Sequence, residues 1–117
     1  MEIYNFDKDM GKISEYNSDF VMSHIIKTNS PSLVGSMYLD GDRVIGYHQA
    51  VAHQLLLVMD GEGYVRNDFG FYRKFQAGNA VFWEKGEFLE TKSKNGLLAV
   101  VIESEELNPL SFMFLEK

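Results

Sequence analysis

His24, His48 and His53 are the three histidines of this 117-residue chain, which has no cysteine. Any metal site must therefore be built on imidazole, carboxylate and amide. Disulfides, thiolate nucleophiles, iron–sulfur clusters and cysteine-type zinc sites are excluded. His48 and His53 lie in the run His48-Gln49-Ala50-Val51-Ala52-His53-Gln54. Read as strand, this run puts His48, Ala50, Ala52 and Gln54 on one face and His53 on the other. A second run, Trp83-Glu84-Lys85-Gly86-Glu87-Phe88-Leu89-Glu90, carries carboxylates at i, i+3 and i+6. That spacing would stripe a helix, but Gly86 and the strand-like surroundings point to strand and turn. General acid–base catalysis needs carboxylates that face one another; such pairs are possible in principle, and nothing in the sequence shows that these face one another. No Gly-x-Ser-x-Gly nucleophile elbow is present. His24, outside both runs, reads as a partly buried, hydrogen-bonded strand histidine, and His53 as a surface or interface residue.

The elements that must position these residues read as short strands. Apolar segments at 20–22, 24–26, 33–39, 44–48, 55–59, 64–66, 71–75, 80–83, 88–91, 97–102 and 111–115 alternate with turn residues. The turns are Asn29-Ser30-Pro31-Ser32, Asp40-Gly41-Asp42, Asp60-Gly61-Glu62-Gly63 and Asn67-Asp68-Phe69-Gly70. Turn signals recur roughly every 8–12 residues, the spacing of an all-β sandwich or barrel. Within the first eighteen residues, Asp7 is placed to cap one helical turn before Gly11. The expectation is one domain over 1–117, with an N-terminal extension at 1–18 and a barrel at 19–117.

Composition limits the function classes. A hydrophobic content of 45%, with nine Phe, six Tyr and one Trp, is enough for a packed core. The net charge of −6 argues against a general nucleic-acid binder, which needs a basic face. The first residues lack the basic and apolar regions of a signal peptide. The longest apolar runs, 55–59 and 97–102, are far too short to span a bilayer. A soluble cytoplasmic protein is expected.

Two blocks carry a recognisable order. The first is His48 to Gln54, followed by 55–59 and Asp60-Gly61-Glu62-Gly63. The second runs from Gly78 through Trp83, Gly86 and Glu87 to Leu89. Together, over about 41–103, they resemble the two motifs of the cupin superfamily. Gly61, Gly63, Gly78 and Gly86 occupy turn positions where positive φ is expected. The second block is also similar to a subgroup of bacterial cupins that reads Trp-x-x-Gly-Glu-x-His-Glu. The resemblance implies an all-β, antiparallel, jelly-roll-like barrel.

Cupin enzymes hold a divalent metal with two histidines and a glutamate of the first motif and a histidine of the second. On this sequence those positions read His48, Ala50, Gln54 and Leu89, and the motif proline reads Glu84. One imidazole with one amide oxygen is a poor ligand set for Zn²⁺, Mn²⁺ or Fe²⁺. No metal and no other cofactor is therefore expected. The preferred reading is a small-molecule-binding cupin-like protein with pocket candidates His48, Gln54, Trp83 and Glu87. Its competitor is a metal-dependent isomerase or dioxygenase with an atypical His48–Gln54–Glu87 ligand set. A third reading is an interaction module whose interior is filled by Leu56, Val58, Phe82 and Leu89. No nucleic-acid or membrane partner is expected. A homodimer is, paired through the N-terminal region or the apolar segment 109–115.

Overall fold

The computed structural model describes residues 1–13, 19–68 and 70–116. Residues 14–18 of the expected extension, Phe69 of the expected 67–70 turn and Lys117 of the expected barrel span lie outside the described residues. Eleven strands are described: β1 (Glu2–Asn5), β2 (Lys12–Ile13), β3 (Val21–Met22), β4 (Ser32–Leu39), β5 (Arg43–Gln49), β6 (His53–Arg66), β7 (Arg73–Gln76), β8 (Asn79–Trp83), β9 (Phe88–Ser93), β10 (Leu97–Ser104) and β11 (Phe114–Leu115). Single 3-10 turns occur at Lys8–Met10, directly after Asp7, and at Pro109–Ser111.

One layer has the strand order β11-β1-β8-β6-β10-β4. The other pairs β5 with β9, β9 with β6 and β6 with β7, and every pairing is antiparallel. β6 joins the two layers: its first half pairs with β8 and β10, and its second half with β7 and β9. The hinge lies at Met59–Gly61, where the β6–β10 register shifts between Leu98 and Ala99. Gly61 has φ +88° there. The Asp60–Gly63 segment is thus a bend inside one long strand, where the sequence suggests a turn between two strands. Gly63 serves by space instead of by positive φ. A Cβ on it would stand 2.5 Å from the Lys92 carbonyl oxygen and 2.9 Å from the Phe75 ring.

Alternation along the strands separates two apolar clusters. Leu56, Val58, Val81, Trp83, Leu89, Val65, Phe75 and Ala99 fill the space between the layers. Leu55, Leu57, Ala80, Phe82 and Ile102 face the other way, under Ile25, Ile26, Leu107 and Met113. Phe82 therefore lies on the outer face of the first layer and not in the interior expected for it. β8 is buried along its whole length because both of its faces are covered. Each such buried aliphatic side chain contributes roughly 1.5–3 kcal/mol.

Further elements differ from the sequence expectation; of the expected segment 111–115 only Phe114–Leu115 is strand, after a 3-10 turn that ends at Ser111. The segment 24–26 forms no ladder; Ile25 and Ile26 cap the outer cluster instead. β1 is part of the main sheet, between β8 and β11, so the barrel includes residues expected to form an extension. Ile3 and Tyr4, 0% and 1% exposed, give that short strand an apolar side chain for each cluster.

Candidate functional site

The candidate residues lie on β5 (His48), β6 (Gln54) and β8 (Trp83), and just before β9 (Glu87). His48 stands opposite Leu89 on the β5–β9 ladder, beyond a bulge between Ile45 and His48. Leu89 is 3% exposed within the interior cluster, and Ala50 is buried beside it in the same cluster. The chain leaves β5 at Gln49 and enters β6 at His53, so Ala50, Val51 and Ala52 form a connection between layers. The Ala50 N–H donates to the Glu87 carbonyl at 2.8 Å, and the Gly86 N–H donates to the Ala50 carbonyl at 2.9 Å. His48 and Gln54 are thus on different strands of different layers, and the shared strand face expected for them is replaced by this crossing.

His48 is exposed, and its Nδ1 lies 2.7 Å from the Gly46 carbonyl oxygen. In the neutral ring that contact makes Nδ1 the donor and leaves Nε2 as an acceptor. Gln54 pairs with Trp83 on one side and Glu103 on the other, and its Nε2 donates to Glu103 Oε1 at 3.2 Å. Trp83 is 1% exposed and packs in the interior cluster, yet its indole N–H has no partner among the described residues. The hydroxyl of Thr91, equally buried, also has no partner among the described residues. Both stand out, since nearly all buried polar groups in folded proteins are hydrogen-bonded.

Glu87 is engaged elsewhere. Its carboxylate accepts the Met1 ammonium at 2.7 and 2.9 Å and the Glu84 N–H at 3.2 Å. Of the four pocket candidates, Gln54 and Trp83 are ladder neighbours, His48 sits across from Leu89, and Glu87 is tied to the chain start. Glu103 was not legible as a candidate, because its partnership with Gln54 arises only from the β6–β10 register.

The ligand positions do not fit a divalent metal. Around His48 they present a methyl group at Ala50, an isobutyl group at Leu89 and an amide at Gln54 already bonded to Glu103. Among the described residues, no group of three or more His, Asp or Glu side chains is placed to hold an ion. The other two histidines lie away from the interior. His53 stacks on Phe82 of the outer cluster, with ring centroids 6.2 Å apart, and its Nδ1 accepts the Lys85 N–H at 3.1 Å. That agrees with the opposite face expected for it. His24 is exposed outside any strand, with its ring 5.5 Å from that of Phe112; the expected buried strand position is not where it lies.

The outer face of the second layer carries a separate polar and aromatic group. Tyr47 stacks on Phe88 at 5.3 Å, and the Arg66 guanidinium lies 4.5 Å from the Tyr47 ring centroid. Arg66 donates to Glu90 at 3.0 Å, and the Tyr72 hydroxyl donates to the same carboxylate. The Tyr72 hydrogen bond first, and Arg66 second, hold the Glu90 carboxyl below the ordinary range. Among the described residues, no helix is long and apolar enough to cross a membrane.

No family model matches the chain, and no curated protein matches it. Solved structures do. A cupin superfamily protein from Desulfitobacterium hafniense superposes with a TM-score of 0.60 at 11% identity, over 80% of this chain and 84% of that one. EutQ from Salmonella typhimurium, an ethanolamine utilization protein Q by its description, gives 0.56 at 20% identity, over 63% and 58%. The Clostridium difficile EutQ protein gives 0.56 at 15% identity, over 62% and 56%. The chain thus spans less than two-thirds of the length of either EutQ. The fold is that of the cupins: an all-β, antiparallel jelly roll.

Proposed function

We propose that this protein binds a small organic molecule in the cupin interior without a resident metal, His48 and Gln54 being the recognising groups. The observation that carries this reading is the buried, unpartnered indole N–H of Trp83, next to Gln54 on the β6–β8 ladder. A donor left in that state costs about 1–3 kcal/mol until an acceptor meets it. A carbonyl or carboxylate oxygen of a ligand is such an acceptor, while His48 Nε2 accepts a ligand donor at the exposed end. Trp83 is the one tryptophan of the chain, so its emission reports a ligand that reaches it. A panel of small carbonyl and carboxylate compounds is screened by thermal shift and by tryptophan emission. The expected hit raises the melting temperature, changes the emission and is lost in His48→Ala. A panel without hits, or hits indifferent to His48→Ala, rejects the proposal.

The close packing of Leu56, Val58 and Leu89 favours a second reading, a filled barrel that acts through its surface. A homodimer is part of the proposal under either reading. β4 ends the first layer, is uncharged over its eight residues and exposes Leu33, Val34 and Tyr38 by 71%, 61% and 75%. Edge strands of monomers usually carry charges or prolines that prevent such pairing. A second copy laid antiparallel along β4 would cover it.

A further inference from the structure

The outer face of the second layer contains a recess of about 320 Å³, remote in the fold from the interior. Its floor is a row across the sheet. Val44 of β5 pairs with Lys92 of β9, which pairs with Tyr64 of β6. Arg43 and Lys94 close one end, beside the Asp40–Asp42 turn, and Asp42 is the one carboxylate in the lining. Three cations against one anion leave this recess a formal charge of +2, in a chain whose net charge is −6.

The cations that line the recess differ from the other cations of this face, among them Lys74, which pairs with Tyr64 at the end of the same row. Arg66 is matched by Glu90 at 3.0 Å and Lys74 by Glu62 at 3.4 Å. Among the described residues, Arg43, Lys92 and Lys94 make no ion pair within 4.0 Å. Lys92 instead lies 3.9 Å from the Tyr72 ring centroid. Between these cations, Tyr64 is 45% exposed and Val44 60% exposed, so a flat apolar surface faces solvent inside a ring of positive charge.

We infer that this recess binds a small organic anion, its planar ring against Tyr64 and Val44 and its phosphate or carboxylate held by Arg43, Lys92 and Lys94. Guanidinium and ammonium groups are the donors suited to such oxyanions. The aromatic and aliphatic floor supplies the affinity that charge alone lacks in water. The formal charge of +2 favours a dianion over a monoanion.

Backbone amide shifts are followed by NMR during titration with phenyl phosphate, benzoate, phenol and inorganic phosphate. Phenyl phosphate is expected to give saturable shifts at residues 43–44, 64 and 92–94 and to bind more tightly than phenol or inorganic phosphate. Tighter binding than benzoate assigns a phosphomonoester site, and the reverse order assigns a carboxylate site; both orders support the recess. Arg43→Ala and Lys94→Ala should each weaken phenyl phosphate by roughly two- to fivefold, the scale of one exposed charge. Tyr64→Ala should weaken phenyl phosphate and leave inorganic phosphate unchanged, while Lys85→Ala, at a lysine paired with Glu105 and outside the recess, should change neither. Binding should also fall as salt rises. Absence of saturable shifts with both phenyl phosphate and benzoate overturns the inference, as does a loss in Lys85→Ala equal to that in Arg43→Ala. Ligands of the interior should still alter Trp83 emission in the Arg43 and Lys94 variants, which keeps the two sites separable.

Discussion

Gly61→Ala tests the hinge that carries β6 from one layer to the other. At φ +88° an alanine is strained by about 1–2 kcal/mol. Its Cβ would also overlap the Gly96 carbonyl oxygen and stand 2.8 Å from Leu97 Cα. These are backbone atoms, so relief requires the β6–β10 ladder to open locally. Loss of one ladder hydrogen bond adds about 0.5–1.5 kcal/mol. Displacement of Leu97, which is 6% exposed in the interior cluster, adds about 1–3 kcal/mol. The total is roughly 3–6 kcal/mol, a large part of the 5–15 kcal/mol typical of a domain. Gly35→Ala is the matched control. Gly35 lies on β4 with nothing within 4 Å of its Cβ direction, so the same change there should be neutral or stabilising by up to about 1 kcal/mol. Urea unfolding followed by Trp83 emission measures both. A loss below about 1 kcal/mol at Gly61, or equal effects at the two glycines, would refute the hinge reasoning.

The Tyr4 phenol, buried first of all and hydrogen-bonded to Glu2 at 2.9 Å, is pushed up to about 12. Its folded value exceeds its ordinary value near 10, so its stabilisation is complete below pH 10 and lost as pH rises towards 12. Wild type should therefore lose about 2 kcal/mol more than Tyr4→Phe across that window; parallel pH profiles count against it. Val34→Lys on the β4 edge should convert a dimer to a monomer in light scattering with no loss of fold by circular dichroism. A monomeric wild type removes the dimer proposal. Protein purified without a histidine tag should contain no stoichiometric Fe, Mn, Ni or Zn, and chelator should leave its melting temperature unchanged. Stoichiometric metal lost in His48→Ala would restore the enzyme reading.

Much of the fold was legible because its signals are local. β4, β5, β8, β9 and β10 fall where apolar segments and turn residues placed them, and the Asp40-Gly41-Asp42 turn joins β4 to β5. The opposite orientation of His53 and Gln54 followed from alternation, because both lie on β6. The site was less legible. The shared face of His48 and Gln54 rested on continuous strand, and the chain instead crosses between layers at 50–52. Phe82 and Trp83 are adjacent in sequence and face opposite clusters, which alternation separates but does not assign to interior or exterior.

By itself the sequence determined the chemical inventory: no thiol, three imidazoles, and His48, Ala50, Gln54 and Leu89 at the positions that the resemblance matches to metal ligands. It also placed glycine where the backbone needs positive φ, a local steric requirement that Gly61, Gly78 and Gly86 meet. Tertiary structure alone decided the partnerships. Glu87 meets Met1 across 86 positions of chain, Gln54 meets Glu103 across 49, and Val44, Lys92 and Tyr64 form one row from three strands. The physical reason is that period and turn chemistry act over a few residues. Ladder register, which aligns distant side chains, is set by how both faces of the whole sheet bury their apolar residues.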